Sequence, residues 1–192
     1  MRTQIEELPD GTKFYNFDEL ESFLSGIKEK GEKPLLTEDL VLILLYARAD
    51  RPIYGKTMLM KEVFLMCEEI LKPEGVRTQD PRFVPYKYGP YSFNVMQTLE
   101  TMVVANLIAS SGKRNSRKEA FILTGIGVKR AEQKFERLPA DVRESLESLR
   151  VGWDQLGTHG ILQYVYQKYE RYKAESEIKS RYKDIIWGRG KA

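Results

Sequence analysis

The sequence predicts a mainly α protein with one small β-hairpin, an α+β fold. Apolar residues recur at helical spacing along most of the chain, while only one pair of β-prone runs, around 107–111 and 120–124, flanks a turn. The 192 residues are 42% apolar and 31% charged, enough for one core with a solvated surface. Residues 1–34 read as an N-terminal extension and linker, 35–125 as the core domain, and 126–192 as a helical extension packed on it.

Within the extension, "KFYNF" (13–17) has strand composition. Asp18 is placed to cap a helix over 19–29 that carries Phe23, Leu24 and Ile27 on one face. "KEKGEKP" (28–34) follows as a charged linker. The first strong helix starts with Thr37 as N-cap and Glu38 and Asp39 in the first turn, where the helix dipole favours acids. Leu36 and Val41 are spaced as a hydrophobic staple, and Leu40, Val41, Leu44, Leu45 and Ala47 form a wide apolar stripe. Pro52 ends it. A second helix buries Leu59, Val63, Phe64, Cys67, Ile70 and Leu71 before Pro73 and Gly75.

A long connection with Pro73, Pro81, Pro85 and Pro90 leads to "PYKYGPYS", read as a structural elbow. Gly89 permits a turn, Pro90 fixes φ, Ser92 caps the third helix, and Tyr91 staples it against Met96. Tyr86 and Tyr88 alternate as on one strand face, with Lys87 opposite; an aromatic ligand cradle is the competing reading. The third helix turns Val95, Leu99, Met102 and Val103 inward and Asn94, Gln97, Thr98 and Thr101 outward. A hairpin over 107–124 follows, its tip carrying Lys113, Arg114, Arg117 and Lys118 around the turn-forming Asn115-Ser116. Thr124 caps a helix with Ala131, Phe135 and Leu138 on one side. Val142, Leu146 and Leu149 mark the next; Ile161, Leu162, Val165, Tyr166, Tyr169 and Tyr172 another beyond "GWDQLGTHG"; and Ile178, Tyr182, Ile185 and Ile186 a last one.

Several chemistries find no support. Cys67 is the only cysteine and His159 the only histidine, so neither a disulfide nor a protein zinc site can be assembled, and Cys67 falls on an apolar face. "YGKT" (54–57) lacks the earlier phosphate-loop glycine, since Asp50 stands there. Glu68 and Glu69 diverge around the helix and cannot share one site. The expectation is a non-enzyme with no cofactor and no metal. The longest apolar run, "LVLILLYA" (40–47), is too short for a membrane span, and the N-terminus has no signal-peptide pattern, so a cytoplasmic protein without membrane contact is expected.

Three helices followed by a basic-tipped hairpin is the order of a winged helix-turn-helix. "LIASSGKRNSRKEAFILTGIG" resembles the wing of MarR- and PadR-like regulators, with Leu123, Thr124 and Gly127 in the Leu-Thr-x-x-Gly element. "GKTMLMKEVFLM", "FVPYKYGPYSFNVMQTLETMVVANLIASS" and "ILQYVYQKYERYKAES" together resemble the YwgA-type family of bacteria and archaea, distantly similar to SocA/Panacea antitoxin-like domains. That resemblance implies a winged-helix-like helical domain that binds DNA or a protein partner; it implies no catalytic residues.

Two functions are therefore open. As a duplex-DNA-binding, transcription-regulatory module, the chain would contact phosphates through Lys113, Arg114, Arg117 and Lys118, with Lys87 in reach. Asn94, Gln97, Thr98 and Thr101 would face bases, although the third helix has no Lys or Arg between Lys87 and Lys113. As a protein-interaction module, antitoxin-like or adaptor, it would use tyrosines 86, 88, 91, 164, 166, 169 and 172. A homodimer through the C-terminal helices fits either.

Overall fold

A computed structural model describes residues 33–172 and two short strands, β1 (Glu6–Glu7) and β2 (Lys13–Phe14), which pair antiparallel. The chain forms two compact units, Met1–Lys33 and Pro34–Ala192. The helices expected over 19–29 and after Ile178, and the rest of the "KFYNF" strand, lie outside the described residues.

The second unit is α+β with small antiparallel sheets. Its order is α1 (Thr37–Tyr46), β3 (Ile53–Tyr54), α2 (Lys56–Leu65) running on as a π-helical turn (Met66–Leu71), β4 (Val84–Tyr86), β5 (Gly89–Tyr91), α3 (Phe93–Val104), β6 (Ile108–Ser111), β7 (Ala120–Leu123), α4 (Gly125–Phe135) and α5 (Ala140–Lys168). A 3-10 turn (Glu170–Tyr172) follows. Strands β3, β7 and β6 make one three-stranded sheet in that order, and β4 and β5 a separate hairpin.

Helix α1 is the centre of the core: Leu40 to Leu45 are all buried because α3 and α4 cover it on different sides. Its cap differs from the expected one. Thr37 is the first helical residue, and Asp39 Oδ2 accepts from the Leu36 N–H at 2.9 Å. The cap shift moves the staple back one residue: Leu35 packs on the core while Leu36 is 52% exposed. Asp39 also pairs with Lys134 of α4 at 3.0 Å.

Helix α2 is buried almost all round, between α1, α3 and α5. It therefore buries not only the expected stripe but also Lys61 and Glu62. Ser92 caps α3 as expected, accepting from the Val95 N–H at 3.1 Å, and its hydroxyl donates to the Pro81 carbonyl. Both partners are buried, so Ser92→Ala is expected to cost about 1–3 kcal/mol, a lost cap plus an orphaned carbonyl, measurable by urea unfolding.

Residues 126–172 share the same core as 35–125, through Ala131, Phe135, Val142, Leu146, Trp153, Ile161 and Val165. Helix α5 is one element with a break at Gly157 (φ 61°), where the sequence suggests two helices. Leu149 is 36% exposed rather than core; the helix turns Arg150 inward instead.

Candidate functional site

The basic hairpin tip is a constructed turn. Gly112 (φ +83°) begins it, and a Cβ there would meet the Lys118 carbonyl oxygen at 2.3 Å. Buried Glu119 lies under the tip: one oxygen accepts from the Asn115 N–H at 2.7 Å and the other from the Ser110 hydroxyl at 3.2 Å. Ser116 Oγ donates to Lys113 O (2.7 Å) and accepts from the Lys118 N–H (3.1 Å). These bonds leave Lys113, Arg114, Arg117 and Lys118 exposed around the turn, and none makes an ion pair among the described residues.

Helix α3 brings Asn94, Gln97, Thr98 and Thr101 together along one cleft, shared with Glu38 and Gln79 at the start of α1. Glu38 is neutralised there by Arg130 at 2.8 Å. The outermost positions of α3 include Phe93, 60% exposed, and Val104, 88% exposed. Glu100, the one charged residue of α3, pairs with Lys56 at 2.9 Å. Lys87 is not with these residues. It sits in the turn of the β4–β5 hairpin, beside a different cavity.

That hairpin is the form the elbow takes. Tyr86 pairs with Gly89, so Lys87 and Tyr88 make a two-residue turn and Tyr88 does not share a strand face with Tyr86. Prolines 85 and 90 stand opposite one another, which hides the pairing from a strand-propensity reading. Tyr86, Tyr91 and Phe93 cluster with ring centroids 4.9–5.9 Å apart. Tyr91 and Met96 remain on opposite sides of the Ser92 cap, both packed against the core.

The C-terminal tyrosines are mostly internal. Tyr166 and Tyr172 are buried, and Tyr164 and Tyr169 each donate to Glu69 at 3.0 Å, with Lys168 2.9 Å from the same carboxylate. Their role is to dock α5 on α2, which leaves Tyr54, Tyr86 and Tyr88 as the exposed tyrosines among the described residues.

Two buried ionisable groups on α2 escape a sequence reading. Glu62 lies 2.9 Å from Arg150 Nε without hydrogen-bond alignment, and both are fully buried; Arg150 also pairs with Asp154. Two carboxylates thus share one guanidinium. Burial, against the pull of Arg150 and with a push from Asp154, raises Glu62 to about 8. Lys61 has no carboxylate partner among the described residues. Its Nζ donates to Pro90 O at 2.7 Å, and burial lowers it to about 7.

The signs of these shifts set a pH dependence. Folded Glu62 holds its proton up to about 8, whereas the unfolded group ionises near 4.5, so its contribution to stability falls as pH rises between them. Lys61 acts oppositely above about 7, where the unfolded chain binds the extra proton. Glu62→Gln is therefore expected to gain on the wild type by roughly 2–4 kcal/mol from about pH 5 to about pH 8, read as the difference between paired urea titrations. A constant difference would mean that Glu62 ionises alike in both states.

Among the described residues no cluster of His, Cys, Asp or Glu could hold a metal, and no helix is long and apolar enough to cross a membrane. The chain matches no family model, and no curated protein matches its sequence.

Proposed function

We propose that this chain is a winged-helix, DNA-binding regulatory module that engages duplex phosphates through its hairpin tip. The observation that carries the reading is the exposed tip itself: Lys113, Arg114, Arg117 and Lys118 splayed around a turn fixed from beneath by Glu119. The topology supports it. In winged helices the strand between the first two helices pairs with the returning strand of the wing, and the order β3-β7-β6 has that form.

The recognition half departs from the usual plan. Residues 72–92, with the β4–β5 hairpin, stand where a helix-turn-helix has a turn of about four residues. Helix α3 presents Phe93, Gln97, Thr101 and Val104 and no cation. Binding of this design is directed at the backbone: strong in salt dependence and weak in sequence preference. Fluorescence anisotropy with mixed-sequence duplex, titrated at several salt concentrations, tests it. Affinity falling steeply with log salt is expected; no binding at low salt overturns the reading.

One observation favours a protein-interaction role, antitoxin-like or adaptor, as the second reading. Val84, Tyr86, Tyr88 and Phe93 are exposed around the β4–β5 hairpin, a grouping suited to a partner's apolar anchors. A homodimer is compatible with both, and sedimentation velocity measures it.

A further inference from the structure

Between the β4–β5 hairpin, the start of α2, the flank of α3 and Asn115 of the wing lies a cavity of about 380 Å³. That size is at the lower end of the range for small-molecule sites. Its walls combine Met60 and Met96 with Tyr86, Tyr88 and Tyr91, while Lys61 supplies a buried cation. Gly89, at φ +85°, forms part of the wall with no side chain; a Cβ there would stand 3.3 Å from Tyr166 Cε1 and 3.7 Å from Lys61 Cε.

The lysine defines the ligand's charge. Lys61 is 2% exposed and makes one hydrogen bond among the described residues, to Pro90 O, so two of its three N–H donors remain available. Buried ammonium groups are ordinarily paired, and this one faces no carboxylate within ion-pair distance among the described residues. Lys56, the other lysine of α2 on the wall, is already held by Glu100 at 2.9 Å. Glu100 also lines the cavity, so a second negative charge on the ligand would meet a carboxylate. One buried cation with two spare donors, beside Lys56 already paired with Glu100 and with Lys87 exposed in the hairpin turn, suits a single carboxylate better than a phosphate dianion. The aromatic and thioether walls suit a flat ring.

We propose that this cavity binds a small planar aromatic carboxylate, with the carboxylate on Lys61 Nζ and the ring between the tyrosines and the methionines. The burial that pulls Lys61 down to about 7 is what a bound anion would offset, by providing the missing counter-charge. The site goes beyond the DNA-binding reading and is assayed without DNA, so either can fail alone.

Isothermal calorimetry on the full chain at about pH 6.5 tests it, with 1-naphthoate and its neutral isostere 1-naphthamide as probes. A Kd below about 1 mM is expected for naphthoate. The amide should bind at least about tenfold more weakly, and Lys61→Met should reduce naphthoate affinity by a similar factor. Tyr88→Ala alters only an exposed turn residue and should weaken both probes while leaving the melting curve unchanged. No heat with naphthoate, equal affinity for the amide, or unchanged binding by the folded Lys61→Met or Tyr88→Ala variant would each overturn the assignment.

Discussion

Replacing Lys113, Arg114, Arg117 and Lys118 together by glutamine is expected to weaken duplex binding about tenfold or more near physiological salt. The side chains keep most of their length and polarity, so the turn held by Gly112, Ser116 and Glu119 should persist. What disappears is charge. Each lost phosphate contact removes about 0.9 from the slope of log affinity against log salt, and four would flatten it by up to about 3.6. The loss should be similar for unrelated duplex sequences, since phosphate contacts carry no base information. Lys72→Gln, which removes an exposed cation on another element, should leave the slope in place. Equal slopes for the wild type and the fourfold variant would remove the tip from the interface.

The largest stability effect is expected at Arg150. It lies fully buried against Glu62 and Asp154, and its guanidinium is shared between two carboxylates. Arg150→Ala leaves Asp154 without its cation, strips the partner from buried Glu62, which holds its proton at neutral pH, and opens a void where the side chain stood. A loss of about 3–5 kcal/mol is expected, which for a chain of this size lowers Tm by roughly 6–20 °C. The pair Glu62→Leu with Arg150→Met should recover most of it, because apolar residues of similar volume remove the need for a counter-ion. A mild Arg150→Ala phenotype would show that water reaches Asp154 and Glu62 and takes the place of the guanidinium.

Where the chain is amphipathic, the sequence was readable. The stripe of α3, the caps Ser92 and Thr124, and the basic hairpin all sit where spacing and turn chemistry place them, while α1 is buried beyond its expected stripe, at Leu42 and Ile43 too. What it concealed has physical causes. Strand β3 is two residues long, too short for any periodicity, although its pairing with β7 completes the sheet. The β4–β5 hairpin is masked by Pro85 and Pro90. Lys61 and Glu62 look like a solvated face when only one stripe of α2 is assumed buried. A signal was present nonetheless: in "MLMKEVFLM" (58–66) they are the only polar residues, the mark of a helix covered on all sides. Arg150 carries no such mark, because only the packing of α5 on α2 brings it to Glu62. Of the candidate contact residues, the tip cations stand together and exposed as the spacing suggests. Lys87 is separated from them in chain and element, and the C-terminal tyrosines are spent on docking α5.

Lysine-reactivity footprinting tests the central claim most directly, because it reports on the basic hairpin tip of the unmodified sequence. The chain is acetylated briefly with and without saturating duplex at low salt, and each lysine is quantified by mass spectrometry. Lys113 and Lys118 should be protected several-fold by DNA, while Lys72, exposed just beyond the end of the π-helical turn, should react equally in both samples. Duplex that binds yet leaves Lys113 and Lys118 as reactive as in the free protein would contradict the wing as the phosphate-contacting element.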